Sequence, residues 1–143
     1  MTALAVDTPV STKIRPDLLS YKVADNVRIF KGSLVTINAA GYAIPAADTA
    51  STIFAGIADS DVDNTTVGHT AGGKEVLVQR DRIALLTGSG FTQATVGQLV
   101  YVLDSGTVAV TGGVTNHVIV GSVYRLESAT QVWVDMNSPV AIA

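Results

Sequence analysis

Gly32-Ser33-Leu34-Val35-Thr36-Ile37 and, 65 residues further on, Gly97-Gln98-Leu99-Val100-Tyr101-Val102 read as two versions of one strand. Each opens on glycine, runs through an apolar segment rich in β-branched residues, and stops at an Asx–Gly turn. The turns are Asn38 to Gly41 and Asp104 to Gly106, and the second strands are Tyr42-Ala43-Ile44 and Thr107-Val108-Ala109-Val110. At the same offset Ile53-Phe54-Ala55-Gly56-Ile57-Ala58 aligns with Val118-Ile119-Val120-Gly121-Ser122-Val123. After a slip of nine residues, Glu75-Val76-Leu77-Val78 echoes Gln131-Val132-Trp133-Val134. The unit is a hairpin, a glycine-interrupted strand and an alternating strand, present twice. Gly56 and Gly121 are expected at bulges, or where another backbone comes close. Two such copies packed together make a barrel or a sandwich, whereas a solenoid needs three or more units.

Outward from this repeat, Arg82 to Leu86 reads as a further short strand, and Tyr21 and Val23 start a possible first strand running to Ile29. Arg80 to Val96 separates the copies and is expected to be a structural link or a contact loop. No segment longer than about ten residues carries a helical stripe, although Thr92 to Gln98, or the region after Pro45, has room for one short turn. Composition agrees: Val is the commonest residue at 21, Thr reaches 16 and Leu only 10. The fold class is therefore all-β, a compact barrel or sandwich of short strands.

At 143 residues the chain is one domain by size, and long enough to bury a core. Charged residues make up 15%, against about 25% in an ordinary soluble domain, while 48% are hydrophobic. No apolar run reaches the roughly 18 residues of a spanning helix. Met1 to Val10 carries Asp7 and Pro9 and no basic run, so no signal peptide is expected. Charge and glycine are unevenly placed. Five of the nine basic residues lie in the first 31 positions, and all 13 glycines lie after them. Pro9 and Pro16 oppose a continuous helix in the first segment. This divides the chain into an extended N-terminal arm, 1–22, and a β domain, 23–143.

Candidate chemistry is sparse. The absence of cysteine removes disulfides, thiol catalysis and Cys-ligated metals. A net charge of −3 carries no nucleic-acid signature. Asp59-Ser60-Asp61-Val62-Asp63-Asn64 begins like a calcium loop, but Asn64 stands at the position that needs glycine and Thr70 at the one that needs a bidentate glutamate. A solvated acidic turn is the expectation there. His69 and His117 have no Ser or Asp at triad spacing, and no enzyme activity or cofactor is expected. Gly72-Gly73-Lys74 and Gly88-Ser89-Gly90 match no phosphate-binding pattern. Arg80, Asp81 and Arg82 are the densest charge cluster of the β domain. On a strand the two arginines share one face, as a solvated strand end or as contacts for an acidic surface. Trp133, between Val132 and Val134, reads as a core or interface anchor.

The β domain resembles the small capsid decoration, or cement, proteins of tailed phages. The resemblance is carried by Lys31-Gly32-Ser33-Leu34-Val35, Gly41-Tyr42-Ala43-Ile44-Pro45-Ala46, Ile53-Phe54-Ala55-Gly56-Ile57-Ala58, Val96-Gly97-Gln98-Leu99-Val100-Tyr101-Val102, Gly121-Ser122-Val123-Tyr124 and Val132-Trp133-Val134-Asp135-Met136. It spans roughly residues 25–136, leaving the arm outside. It implies a virion protein, made in the host cytoplasm, that binds the outer surface of the assembled head as a homotrimer. Its partner is the major capsid protein shell, which it stabilises by bridging neighbouring subunits, with no nucleic acid or membrane involved. By position in the chain, Lys13, Arg15 and Lys22 are the arm's candidate shell contacts. Arg28, Arg80 and Arg82 are further contact candidates, and Trp133 an intersubunit anchor. The competing readings are another virion module (tail tube, tail tip or fibre base) and a carbohydrate-binding β module.

Overall fold

The computed structural model describes Val6, residues 18–110 and residues 113–136. Twelve strands are found among these: β1 (Leu18–Lys22), β2 (Arg28–Ile29), β3 (Leu34–Ile37), β4 (Ala43–Pro45), β5 (Ile53–Ala58), β6 (Val62–Asp63), β7 (Glu75–Gln79), β8 (Ile83–Thr87), β9 (Leu99–Val102), β10 (Val108–Ala109), β11 (Ile119–Ser128) and β12 (Gln131–Asp135). A 3-10 turn at Gln93–Thr95 falls inside the stretch where one short turn was expected. The strands build two open five-stranded sheets, β1-β7-β5-β3-β4 and β10-β9-β11-β12-β8, plus the two-stranded ladder β2-β6. Of the two architectures open in the sequence, the structure is sandwich-like, with no closed barrel among the described residues.

The sheets are two copies of one topology. Adding 65 turns β3 into β9 and places β4 over β10 and β5 over β11; β7 maps onto β12 at the shorter offset of 56. The repeat holds bond by bond. Gly32 N–H donates to Ala58 O and Ala58 N–H to Ser33 O, and Gly97 N–H donates to Val123 O and Val123 N–H to Gln98 O. Both sheets share one register break, between the pairs Val35–Gly56 and Thr36–Phe54 and between Val100–Gly121 and Tyr101–Ile119, and the β11–β12 ladder shifts twice more, between Val123 and Arg125 and between Leu126 and Ser128. Ala55 and Val120 are the extra, bulged residues. Both glycines also lie against a neighbouring backbone, since a Cβ on either would stand 2.3 Å from a main-chain oxygen, Gln79 O or Asp135 O. Bulge and close approach, the two alternatives for these positions, occur together. The turns use one device as well: Asn38 Oδ1 accepts the N–H groups of Ala40 and Tyr42, and Asp104 Oδ1 accepts that of Gly106.

Three expectations are corrected. Leu18–Lys22, assigned to the arm, is the edge strand of the first sheet, with Leu18 opposite Gln79 and Lys22 opposite Glu75. Its 65-residue counterpart is β8, whose Ile83 stands opposite Asp135 and whose Thr87 stands opposite Gln131. The stretch after Arg80 is therefore no mere link: it supplies the first strand of the second copy. The possible strand from Tyr21 to Ile29 is two separate elements, divided at Asn26, whose φ of 57° turns the chain.

Each copy has its own core, built from equivalent positions. Val35, Ala43, Ala55, Val76 and Val78 pack in the first, and Val100, Val108, Val120, Val132 and Val134 in the second. Strand alternation accounts for this, because these residues all point to one face of their sheet. The lids differ. Ile29 and Val62, from the β2-β6 ladder, close the first core, whereas Phe91 closes the second. The copies meet where β5 lies against β11, and Leu34, Ala46, Phe54 and Ile57 of the first pack with the core of the second.

Candidate functional site

The candidate contact residues are spread over several elements. Lys13 and Arg15 lie outside the described residues. Lys22 ends β1 with its side chain exposed. Arg28 is engaged within the chain. Its Nε and Nη2 reach the two Asp61 oxygens at 3.3 and 3.0 Å, Nη1 is 3.7 Å from Asp63, and the guanidinium lies 4.7 Å from the Phe30 ring centre. The hydrogen bond and charge of Asp61 raise its already high pKa. Arg80 and Arg82 do not share a strand face, because β7 ends at Gln79 and β8 begins at Ile83. Between them the backbone turns at Asp81, with φ at 55°. Arg80 is half-buried and donates to the Tyr21 hydroxyl at 3.1 Å, while Arg82 is exposed.

Trp133 is not a core residue. Val132 and Val134 are fully buried, so alternation sends Trp133 to the outer face of the second sheet. There it stands opposite Leu85, and its indole N–H donates to Glu127 at 3.0 Å. Leu85 (39% exposed) and Ile83 (46%) share this face. The equivalent face of the first sheet carries Leu18 (40%) and Leu77 (42%), with Leu77 standing opposite Ser20. Thus Ile83 repeats Leu18, and the pair Leu85–Trp133 repeats Ser20–Leu77. Sequence reading missed these faces because it did not recognise β1 and β8 as equivalent strands.

The acidic turn has its carboxylates occupied. Asp59 accepts from the Gln79 amide at 2.6 Å, Asp61 holds Arg28, and Asp63 accepts from the Thr65 hydroxyl and N–H. The Thr65 hydrogen bonds hold the Asp63 carboxyl below the usual carboxylate range. His69 pairs with Asp25, Nδ1 to Oδ1 at 2.6 Å, and His117 sets its ring edge-on to Tyr101 with centroids 4.9 Å apart. Among the described residues no cluster of three or more His, Asp or Glu side chains is placed to hold a metal ion, and no helix is long and apolar enough to cross a membrane.

A cleft of about 350 Å³ lies between the copies. Its walls are repeat-equivalent: Phe54 with Ile119, Gly56 with Gly121 and, at the shorter offset, Arg80 with Met136. Its rim is tied by Asp48, which no sequence pattern marked. The two carboxylate oxygens accept the Thr115 N–H at 2.6 Å and the Asn116 N–H at 2.8 Å, and the Asn116 side-chain amide donates to Asp48 O at 2.8 Å. The N–H groups of Asn116 and Thr115 hold the Asp48 carboxyl below its ordinary range. Set against known proteins, the chain matches no family model, no curated protein and no solved structure.

Proposed function

We propose that this chain is a capsid decoration protein of a tailed phage, which binds the outside of the assembled head and braces neighbouring shell subunits. The observation that carries the reading is the duplicated outer face. Leu18 and Leu77 on one sheet, and their equivalents Ile83 and Trp133 on the other, are apolar side chains left partly exposed, and Leu85 joins them where the first sheet has Ser20. Exposed apolar patches suit partner surfaces, and tryptophan is enriched among residues that carry binding energy. A body that offers one face twice is suited to a lattice that repeats its own sites, because linked weak contacts multiply.

In this reading the partners are the major capsid protein and two further copies of the chain, in a homotrimer on the capsid surface. The role is mechanical rather than catalytic, and the described site residues serve contact. The test adds purified chain to expanded and unexpanded heads and follows occupancy by sedimentation and by reconstruction of the particle. Selective binding to expanded heads, with density on the outer shell, supports the reading. A monomer that binds neither head overturns it, and density on the tail moves the chain to a tail module.

A further inference from the structure

We infer that Asp48 is an acid-released latch on the rim of the cleft between the two copies. The rim consists of two equivalent turns, residues 46–52 and 113–117, far apart in sequence and joined by three hydrogen bonds around one residue. Two of these need the carboxylate: each oxygen takes one backbone N–H. A protonated carboxyl carries a hydrogen on one oxygen, which then opposes an N–H instead of accepting from it. Protonation therefore removes one bond and weakens the other at the same step.

What lies beneath the rim gives the latch a consequence. Thr49, Ser51 and Asn116 border the cleft, and Phe54, Leu99 and Ile119 line it. Loosening the rim exposes this apolar lining while each copy keeps its own core. The titratable and charged groups around the latch are His117, whose positive form favours the Asp48 carboxylate, and Arg80 and Asp81 across the cleft. The pKa of Asp48 is depressed in the fold, so the latch holds at neutral pH. It begins to weaken as pH falls below the ordinary carboxylate pKa of about 3.9 and opens as pH falls through the lower value the carboxyl has in the fold.

The test measures amide-exchange protection by NMR in the whole chain, together with binding of an apolar fluorescent dye, between pH 7 and pH 3. Protection factors correct for intrinsic exchange. Those of Thr115 and Asn116 should fall several-fold by pH 3, where linkage to a carboxyl whose open-form pKa is about 3.9 allows at most about ninefold. The β7 and β12 amides should stay protected while dye binding rises. Asp48→Asn should show the acid values of Thr115, Asn116 and dye already at pH 7. Asp104→Asn, which removes a carboxylate of the β9–β10 turn, should leave them as in the parent chain. The inference is overturned if Asp48→Asn keeps parental protection at pH 7. It is equally overturned if acid, or that substitution, strips β7 and β12 together with the rim.

Discussion

Gly56 and Gly121 sit 65 positions apart, each beneath a main-chain oxygen of the next strand, at one distance: a Cβ on either would come within 2.3 Å of Gln79 O or Asp135 O. Real Cβ atoms do not approach oxygen so closely, so the backbones must separate if either glycine gains a side chain. Gly56 adds a φ of 149°, in the left-handed half of conformational space. Gly56→Ala and Gly121→Ala should each cost about 3 kcal/mol. Gly32→Ala and Gly97→Ala, with positive φ and open space at the Cβ, should cost about 1 kcal/mol. Urea unfolding of the four variants checks both the size and the pairing of these values.

Val35 and Val100 are equivalent, fully buried, and in different cores. Replacing either with Ala removes two methyl groups and leaves a void, at about 2 kcal/mol. The two sites share no core partners, so the double variant should lose the sum to within about 0.5 kcal/mol. Chemical denaturation reads this directly. A shortfall beyond that margin would show that the cores communicate through the β5–β11 contact.

Asp104 gives a pH signature. The Gly106 N–H holds its carboxyl below the ordinary range, so it favours the folded state above the unfolded pKa of about 3.9, and that benefit fades as pH falls through the lower folded value. Asp104→Asn should therefore melt at a lower temperature than the parent chain at pH 7, and the gap should narrow toward pH 3. Melting curves at the two pH values check it. The side chain is largely exposed, so the gap at pH 7 is small.

Trp133→Ala, if the outer faces bind the shell, should weaken head binding by about tenfold or more. The fold should survive, because Val132 and Val134 hold β12 from the opposite side. Arg28→Ala should leave head binding within about twofold, since Asp61 and Asp63 already engage that guanidinium. Titration of expanded heads with each variant distinguishes them. The reverse ranking would place the contact on the β2-β6 ladder.

The parts of the fold legible in the sequence are those where local chemistry is constrained on both copies. Glycine must stand at 56 and 121 because a backbone lies against it, and Asn38 and Asp104 each close a turn with their own side chain. These demands survive the drift between copies. The edge strand at Arg82 to Leu86 was legible, but its equivalence to Leu18–Lys22 was not. Leu18–Lys22 and Ile83–Thr87 share no identical residue, and apart from a single bridge from Thr87 to Thr107 each pairs with only one neighbouring strand, which relaxes the demand on its side chains. Asp48 was invisible for another reason. Its partners are backbone N–H groups 67 and 68 positions away, and any residue but proline supplies such a donor. The fate of Arg28 is similar, because the sequence shows a cation beside an arm and not the aspartates folded over it.

The nine-residue slip has a consequence of its own. All of it falls between β5 and β7, where the first copy grows β6 and the second has nothing to match. Elsewhere, most positions have a twin in the same molecule, at the same temperature, pH and concentration, but under a different lid. A substitution made at one twin and then at the other becomes a paired measurement, in which backbone geometry is held fixed and only the surroundings change. The chain carries its own replicate, and the β6 insertion marks the place where the two samples were treated differently.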